Sequence, residues 1–479
     1  MSPPLSSPSA PRFCHGIVPH YILKGIAGCD LNSDLIRQSA RHTLEHLQAT
    51  PNLHESGLSG DSTGPNQGGD AGDDGGAASG SGATGPASSM PGAPQSIVPS
   101  YLLDRIAKSD AVSADIRESA RQTMEDSDKI RAQREQPLAG AAAADETLPR
   151  LPGGQPPVSA QKFTSLRSIY DLGGSSDQNR LPGTLLRDES HSTAASQSLD
   201  VNKVWEYTTV ALTAYAQLFS RNGIDGQGGP TASTIHFGRR YANAFFNGSQ
   251  MIYGDGNDIL GHFTESVSVI VHELSHGVTA STGALLYQGQ SGALNESFSD
   301  VIGCVAEQWS RGQSFDKATW LVGEECLLPG VKGVAIRSMK APGSAFDDPR
   351  LGGQDPQPAD MSGYIDTTDD NGGVHLNSGI PNHAFYRVCE QLGGNSWDKA
   401  ANVWFDTMAG PDIRPDCDFN TFASLTIAVA AKAYGNGVAQ MVWQAWSDVG
   451  VQVAAPQTAA AIGPTTVGDG SSSAAGLQT

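Results

Sequence analysis

The stretch His272-Glu273-Leu274-Ser275-His276 lies in a run whose apolar residues Val267, Ile270, Val271, Leu274 and Val278 recur every three or four positions, which predicts a helix over about 265–280. Helical residues four apart share a face, so both imidazoles can point at one metal ion. Glu273 follows the first histidine directly, and its carboxylate can reach a water held at an open coordination position. A second helix is predicted over 293–309, with Leu294, Phe298, Val301, Ile302 and Val305 as its apolar stripe. Glu296 lies on it, with 19 residues between it and His276. Two histidines and a glutamate are a donor set suited to catalytic zinc, which takes three protein ligands and keeps one exchangeable position. Asp300, one turn beyond Glu296, is placed to accept a hydrogen bond from a ligand imidazole and so fix its tautomer. The competing reading is a helix that happens to carry two surface histidines. Glu296 and Asp300 count against it, because both flank an apolar stripe that should be packed.

The surrounding residues resemble a known family. Asn295-Glu296-Ser297-Phe298-Ser299-Asp300, following the HELSH stretch at this spacing, resembles the thermolysin family of zinc endopeptidases. Asn243-Ala244-Phe245-Phe246, followed by Met251-Ile252-Tyr253-Gly254-Asp255-Gly256, is similar to that family's substrate-edge strand and the loop after it. Ser291-Gly292-Ala293-Leu294, Arg337-Ser338-Met339 and the stretches 370–380 and 445–451 are similar to further family blocks, so the likeness spans about 165–455.

The resemblance implies roles residue by residue. His272, His276 and Glu296 would hold one zinc ion, and Glu273 would be the general base. His375, oriented by Asp370, and Tyr287 would donate hydrogen bonds to the oxyanion of the tetrahedral intermediate. Asn243 and the Ala244 carbonyl would bind substrate backbone, and Arg337 would anchor a substrate carbonyl beside the S1′ pocket. Asn295 joins Asp300 and Asp370 as a residue supporting these groups from behind. The family's pocket is apolar, which implies cleavage before Leu, Phe, Ile or Val. Strand signals over 233–256 and helical patterns at 380–392, 396–408, 421–434 and 438–446 fit the implied α+β fold. That fold is two-lobed and thermolysin-like, with a mixed, β-rich N-terminal lobe, a helical C-terminal lobe and a zinc cleft between them.

Departures from the family pattern carry information about calcium. Members with a double calcium site have a carboxylate four residues before the first zinc histidine, and here that residue is Ser268. Further acidic ligands expected near Lys317, Thr319 and Leu321 are missing, although Glu307 and Glu324 remain, and Val334 stands where another calcium site has an aspartate. A hard dication wants six to eight oxygen ligands, several of them charged. Zinc dependence without strong calcium dependence is therefore expected.

The N-terminal part contains an ungapped repeat. Ile17-Val18-Pro19-His20-Tyr21-Ile22-Leu23 returns 80 residues later as Ile97-Val98-Pro99-Ser100-Tyr101-Leu102-Leu103, and the match continues through Thr43 and Glu45 to Thr123 and Glu125. Each copy reads as a short extended hook followed by two helical segments. The hook and its first helix resemble the short propeptide of the protealysin-like branch, which implies that a copy occupies the cleft until it is cut away. The expected division is 1–50 for the first copy, 51–95 for a linker and 96–159 for the second copy with its own linker. Next come 160–310 for the N-terminal catalytic lobe, 311–455 for the helical lobe and 456–479 for a disordered tail. Gly, Ser, Ala, Asp and Pro dominate 51–95, a composition unable to bury enough apolar surface to offset chain entropy.

Composition narrows the remaining classes. Thirty Lys plus Arg stand against fifty Asp plus Glu, a net charge of −20, so a nucleic acid or an anionic membrane would be repelled. The six cysteines lack CxxC spacing and form neither a disulfide framework nor a cysteine zinc site; Cys14 reads as an inert thiol. The opening residues carry no recognisable export signal, which leaves export by a non-standard route or retention in the cytoplasm. Two other classes compete: a zinc aminopeptidase, for which no GxMEN-like stretch exists, and a degenerate fold that only binds, which the intact chemical positions disfavour. Protein or peptide substrates and the chain's own propeptide are the expected partners.

Overall fold

The structure, a computed structural model, describes residues 15–16, 18, 20–47 and 162–456, apart from short gaps at 192–195, 197, 240, 242, 257–259, 349–350 and 352. Cys14, the expected linker 51–95, the second repeat copy with 96–159, and the tail beyond 456 lie outside the described residues.

A six-stranded mixed sheet forms one layer, built from β1 (His15–Gly16), β2 (Arg167–Asp171), β3 (Thr184–Asp188), β4 (Thr231–Ile235), β5 (Ala244–Phe246) and β6 (Met251–Tyr253). Its strand order is β1-β5-β6-β4-β2-β3, parallel between β2, β4 and β6 and antiparallel elsewhere. β5 and β6 are buried at every residue. Such strands read as continuous apolar runs, as Ala-Phe-Phe and Met-Ile-Tyr do.

Helix α3 (Leu199–Phe219) packs below this sheet and against α4 (Val267–Ala280). Ser198 caps α3, its hydroxyl accepting the Val201 N–H, and Ser220 ends it in a left-handed conformation. α4 and α5 (Gly289–Arg311) form the most extensive helix pair, and α4 is buried from Val267 to Thr279. The close approach requires a glycine: a Cβ on Gly303 would lie 2.7 Å from the Ser268 carbonyl oxygen.

The helical lobe follows with α6 (Asp370–Asn377), α7 (Gly379–Leu392), α8 (Ala400–Met408), α9 (Phe419–Tyr434) and α10 (Asn436–Asp448). Its centre is aromatic: Trp404 stacks on Trp446 at 5.8 Å between ring centroids, and Phe422 meets both rings edge-on. The Trp446 indole N–H donates to the Thr426 hydroxyl, so the buried polar atom is satisfied. No helix among the described residues is long and apolar enough to cross a membrane.

The N-terminal segment packs onto the folded unit. β1 adds to the free edge of β5, and α1 (His20–Gly28) and α2 (Asp34–Leu47) follow it. Val18, Ile22, Leu23 and Ile26 are fully buried and join the main core. The hook is shorter than expected, since Tyr21 already lies in α1.

Candidate active site

His272 and His276 lie one turn apart on α4, and Glu296 faces them from α5; all three are fully buried. Among the described residues they form the one group of three or more His, Cys, Asp or Glu side chains gathered closely enough to hold an ion. The two Nε2 atoms are 3.0 Å apart. His272 Nε2 lies 3.4 Å from Glu296 Oε2, and His276 Nε2 lies 3.5 Å from Glu296 Oε1. Tetrahedral zinc with bonds of roughly 2.0–2.1 Å spaces its ligand atoms about 3.4 Å apart, so the triangle has the right size.

The surrounding bonds make the fit chemical as well as metric. His272 Nδ1 is 2.9 Å from Asp300 Oδ1, and His276 Nδ1 is 2.9 Å from Asn295 Oδ1. These acceptors put the ring protons on Nδ1 and turn both Nε2 lone pairs inward. Two such lone pairs at 3.0 Å repel unless positive charge lies between them. Burial opposes the charged form of His272, but Asp300 and Glu296 outweigh it and raise its pKa to about 9, while burial drives His276 down to about 3. A metal ion between the two nitrogens would supply the positive charge.

Glu273 is fully buried, and neither of its carboxylate oxygens has a hydrogen-bond partner. Burial pushes its pKa up to about 8. An unpartnered buried carboxyl beside a metal triangle is a group kept for reaction rather than for stability.

Asp300 is the hub behind the ligands. Besides His272 it accepts from Arg337 Nε (2.8 Å) and Nη2 (2.6 Å) and from Asn382 Nδ2 (2.9 Å). Burial would raise its pKa, but Arg337 and His272 bring it down to about 2. Arg337, expected to face substrate, is fully buried and commits these two nitrogens to Asp300.

His375 and Tyr287 close the other side. His375 Nε2 stands 3.4 Å from Glu296 Oε2 and 3.2 Å from the Tyr287 hydroxyl, which also donates to Glu296 Oε1. Asp370 holds His375 twice, at Nδ1 (2.7 Å) and at the backbone N–H (2.9 Å). The backbone from Asp370 to Gly373 is left-handed, with φ between 51° and 81°. This non-helical first turn curls the aspartate back onto His375, and its last two residues are glycines, which take that conformation without strain.

Asn243 lies beside β5, and its side chain already grips a peptide backbone. Its Oδ1 accepts the Val18 N–H at 2.8 Å, and its Nδ2 donates to the Val18 carbonyl at 3.4 Å. Ala244 begins β5, whose Phe245 and Phe246 pair with Gly16 and His15. All twelve site residues singled out from the sequence thus lie in one cleft or directly behind it. Sequence reasoning missed Asn382, Ser299, whose hydroxyl is 3.2 Å from His276 Nδ1, and Gln357, which donates to the His375 carbonyl at 2.7 Å. No spacing rule marks these three, which reach the site only through the fold.

Models of the thermolysin metallopeptidase catalytic and alpha-helical domains match residues 159–280 and 283–451. An extracellular metalloprotease of Pectobacterium carotovorum subsp. carotovorum is 41% identical over 359 residues, which are 75% of this chain and 96% of that protein. Protease PrtS of a Photorhabdus species is 43% identical over 290 residues, covering 60% and 76% of the two chains. Among solved structures, the precursor of protealysin, a metalloproteinase from Serratia proteamaculans, is similar with a TM-score of 0.60 at 40% identity, over 74% of this chain and 99% of that one.

Proposed function

The chain belongs to the thermolysin family of metallopeptidases, and from that premise we propose that it is a zinc endopeptidase, made with its own inhibitor attached, that cuts internal peptide bonds before large apolar residues. The observation that carries this reading is the buried His272–His276–Glu296 triangle, with edges of 3.0–3.5 Å, beside the unpartnered carboxylate of Glu273. Zinc bound there would lower the pKa of a water at its open position to about 7 and polarise the scissile carbonyl. Glu273 takes the proton from the attacking water at a carboxylate oxygen and later passes it to the leaving amine. His375, with Nδ1 tied to Asp370, offers its Nε2 proton to the developing oxyanion, and the Tyr287 hydroxyl is a second donor. Burial disfavours a charged His375, but Glu296 and Asp370 more than compensate and raise its pKa, which favours the form protonated at both ring nitrogens. Asn243 and the Ala244 carbonyl hold substrate backbone along the edge of β5. The support for this is the way Asn243 and β5 already hold Val18 and β1. Arg337 anchors a substrate carbonyl beside the S1′ pocket, with Asp300 holding two of its nitrogens in place.

Zinc stoichiometry, together with hydrolysis of a quenched peptide containing an internal Leu or Phe, tests the reading directly. One zinc per chain and chelator-sensitive cleavage are expected; metal-independent cleavage would sink it. For specificity, peptides with Leu or Phe after the scissile bond should be cut roughly 10-fold or more faster than Asp or Lys analogues, measured as kcat/KM. Equal rates would remove the apolar-pocket assignment. The names of the relatives support action outside the cell and synthesis as a precursor.

Calcium is not needed in this reading. Ser268 spends its hydroxyl accepting the Gly323 N–H, and the Arg311 guanidinium lies 2.7 Å from Glu307 and 3.3 Å from Glu325. A dication there would have to displace or face that positive charge. A site filled at 100 times its Kd adds about 2.7 kcal/mol, which amounts to roughly 4 °C in Tm for a domain of this size. A rise below about 2 °C in millimolar calcium is expected, and a larger one would refute this part.

A further inference from the structure

Residues 15–47 occupy the cleft through a small set of contacts. β1 extends the sheet along β5, Asn243 brackets the Val18 backbone, and Lys24 Nζ lies 3.0 Å from Asp369, next to the turn that carries Asp370. Val18, Ile22, Leu23 and Ile26 are fully buried. The repeat 80 residues later carries Val98, Leu102, Leu103 and Ile106 at these four positions. Of the first copy's exposed residues, Leu31, Asp34 and Leu35 become Ala111, Ala114 and Asp115, while Asp30 and Ser33 return as Asp110 and Ser113. Buried Asn32 becomes Val112, but a repeat that keeps the four core positions apolar keeps the ability to cover the same face. One contact is reversed: Asp104 stands where Lys24 meets Asp369.

We propose that residues 97–125 are a second occupant of this same cleft, entering when residues 15–47 leave and held there less tightly because Asp104 faces Asp369. The proposal rests on the reading of the first copy as an inhibitor. Both copies are tethered to the lobes they would cover, so each competes at an effective concentration on the order of millimolar. Only one can pair with β5 at a time. Loss of the first copy therefore yields a chain that is still held back, and full activity requires removal of both. The reversed charge, at a pair about one-third exposed on each side, weakens the second copy by roughly 2- to 5-fold.

The test uses the full chain, with its intact mass verified during the assay, and reads the initial rate on a quenched peptide with an internal Phe. Val18→Asp with Ile22→Asp disables the first copy, and Val98→Asp with Leu102→Asp disables the second. The first pair alone should raise the rate only a few-fold, and both pairs together by about 10-fold more, as tethered occupancy predicts. In the first-pair background, Asp104→Lys should lower the rate roughly 2- to 5-fold by restoring the ion pair with Asp369. This variant changes one side chain and does not depend on unfolding a segment. If the first pair already gives the rate of the combined variant, or if Asp104→Lys leaves the rate unchanged, the second copy does not enter the cleft and the proposal falls. If the combined variant stays as latent as the unaltered chain, the inhibitor reading itself falls, and the proposal with it.

Discussion

Glu273→Gln should keep the metal and the fold but lose at least about three orders of magnitude in kcat, within the range general-base catalysis supplies. The ligands His272, His276 and Glu296 are untouched by the change, so zinc content measured by mass spectrometry should stay at the level of the unaltered chain. The same residue carries a stability cost. Its carboxyl has no hydrogen-bond partner, and burial raises its pKa to about 8 from an ordinary value of 4.5. A carboxyl whose folded pKa is raised favours folding least at high pH: the penalty is absent below about 4.5 and grows until pH passes about 8. At pH 7 it amounts to something on the order of 3 kcal/mol in the metal-free chain. Glu273→Leu should therefore melt higher than the unaltered metal-free chain, with a gap that widens as pH rises from 5 to 8. A stabilised, zinc-competent and inactive protein is the combined result expected of a residue kept for chemistry. Turnover within 10-fold of the unaltered enzyme in Glu273→Gln would move the base elsewhere, with His375 the next candidate.

How legible this site was in the sequence depended on the range of its contacts. The helix over Val267–Ala280 and its two histidines follow from a period of 3.6 and a spacing of four, which are local properties. α5 begins at Gly289, four residues before the predicted start, because Gly289 and Gly292 weaken the helical signal where tertiary packing supplies the order. A Cβ on Gly292 would lie 2.4 Å from a Val374 methyl, so the low-propensity residue is the one that packing demands. α3 was not anticipated at all. Its Val201, Val204, Thr208, Thr209, Val210 and Thr213 are β-branched and favour strands, yet burial of Val201, Val204, Trp205, Thr208 and Leu212 on one face overrides propensity. The left-handed turn at Asp370–Gly373 is written in Asp-Asn-Gly-Gly, but its use as a clasp on His375 is not. Long-range pairs were out of reach. Asn243 and Val18 are 225 residues apart, and Arg337 and Asp300 are 37 apart, with nothing in either stretch naming its partner. The repeat at an offset of 80 was plain, whereas the face it covers became visible only once β1 lay against β5.

The second large effect belongs to Asp300. Its carboxylate takes four hydrogen bonds, from His272, from Arg337 twice and from Asn382, with no solvent access on either side of the Arg337 pair. Removing one partner of a buried pair leaves the other charge uncompensated, which typically costs about 3–5 kcal/mol. Asp300→Ala should therefore lower the unfolding free energy by that amount, measured by denaturant titration. It should also weaken zinc binding by roughly 10- to 100-fold, because His272 loses the acceptor that fixes its tautomer. Asn295→Ala separates the two roles. Asn295 supports His276 through a single neutral hydrogen bond and compensates no buried charge, so it should weaken zinc binding comparably while costing only about 1 kcal/mol of stability. The folded pKa of Asp300 is about 2, below its ordinary 3.8, so its contribution is present above pH 3.8 and fades as pH falls through 2. The stability gap between Asp300→Ala and the unaltered chain should accordingly narrow on acidification while that of Asn295→Ala does not. Equal stability losses in the two variants would mean that the Arg337 guanidinium finds another counter-charge. Asp300 would then be only a histidine acceptor, and the coupling between the metal ligands and the buried arginine would be lost from the mechanism.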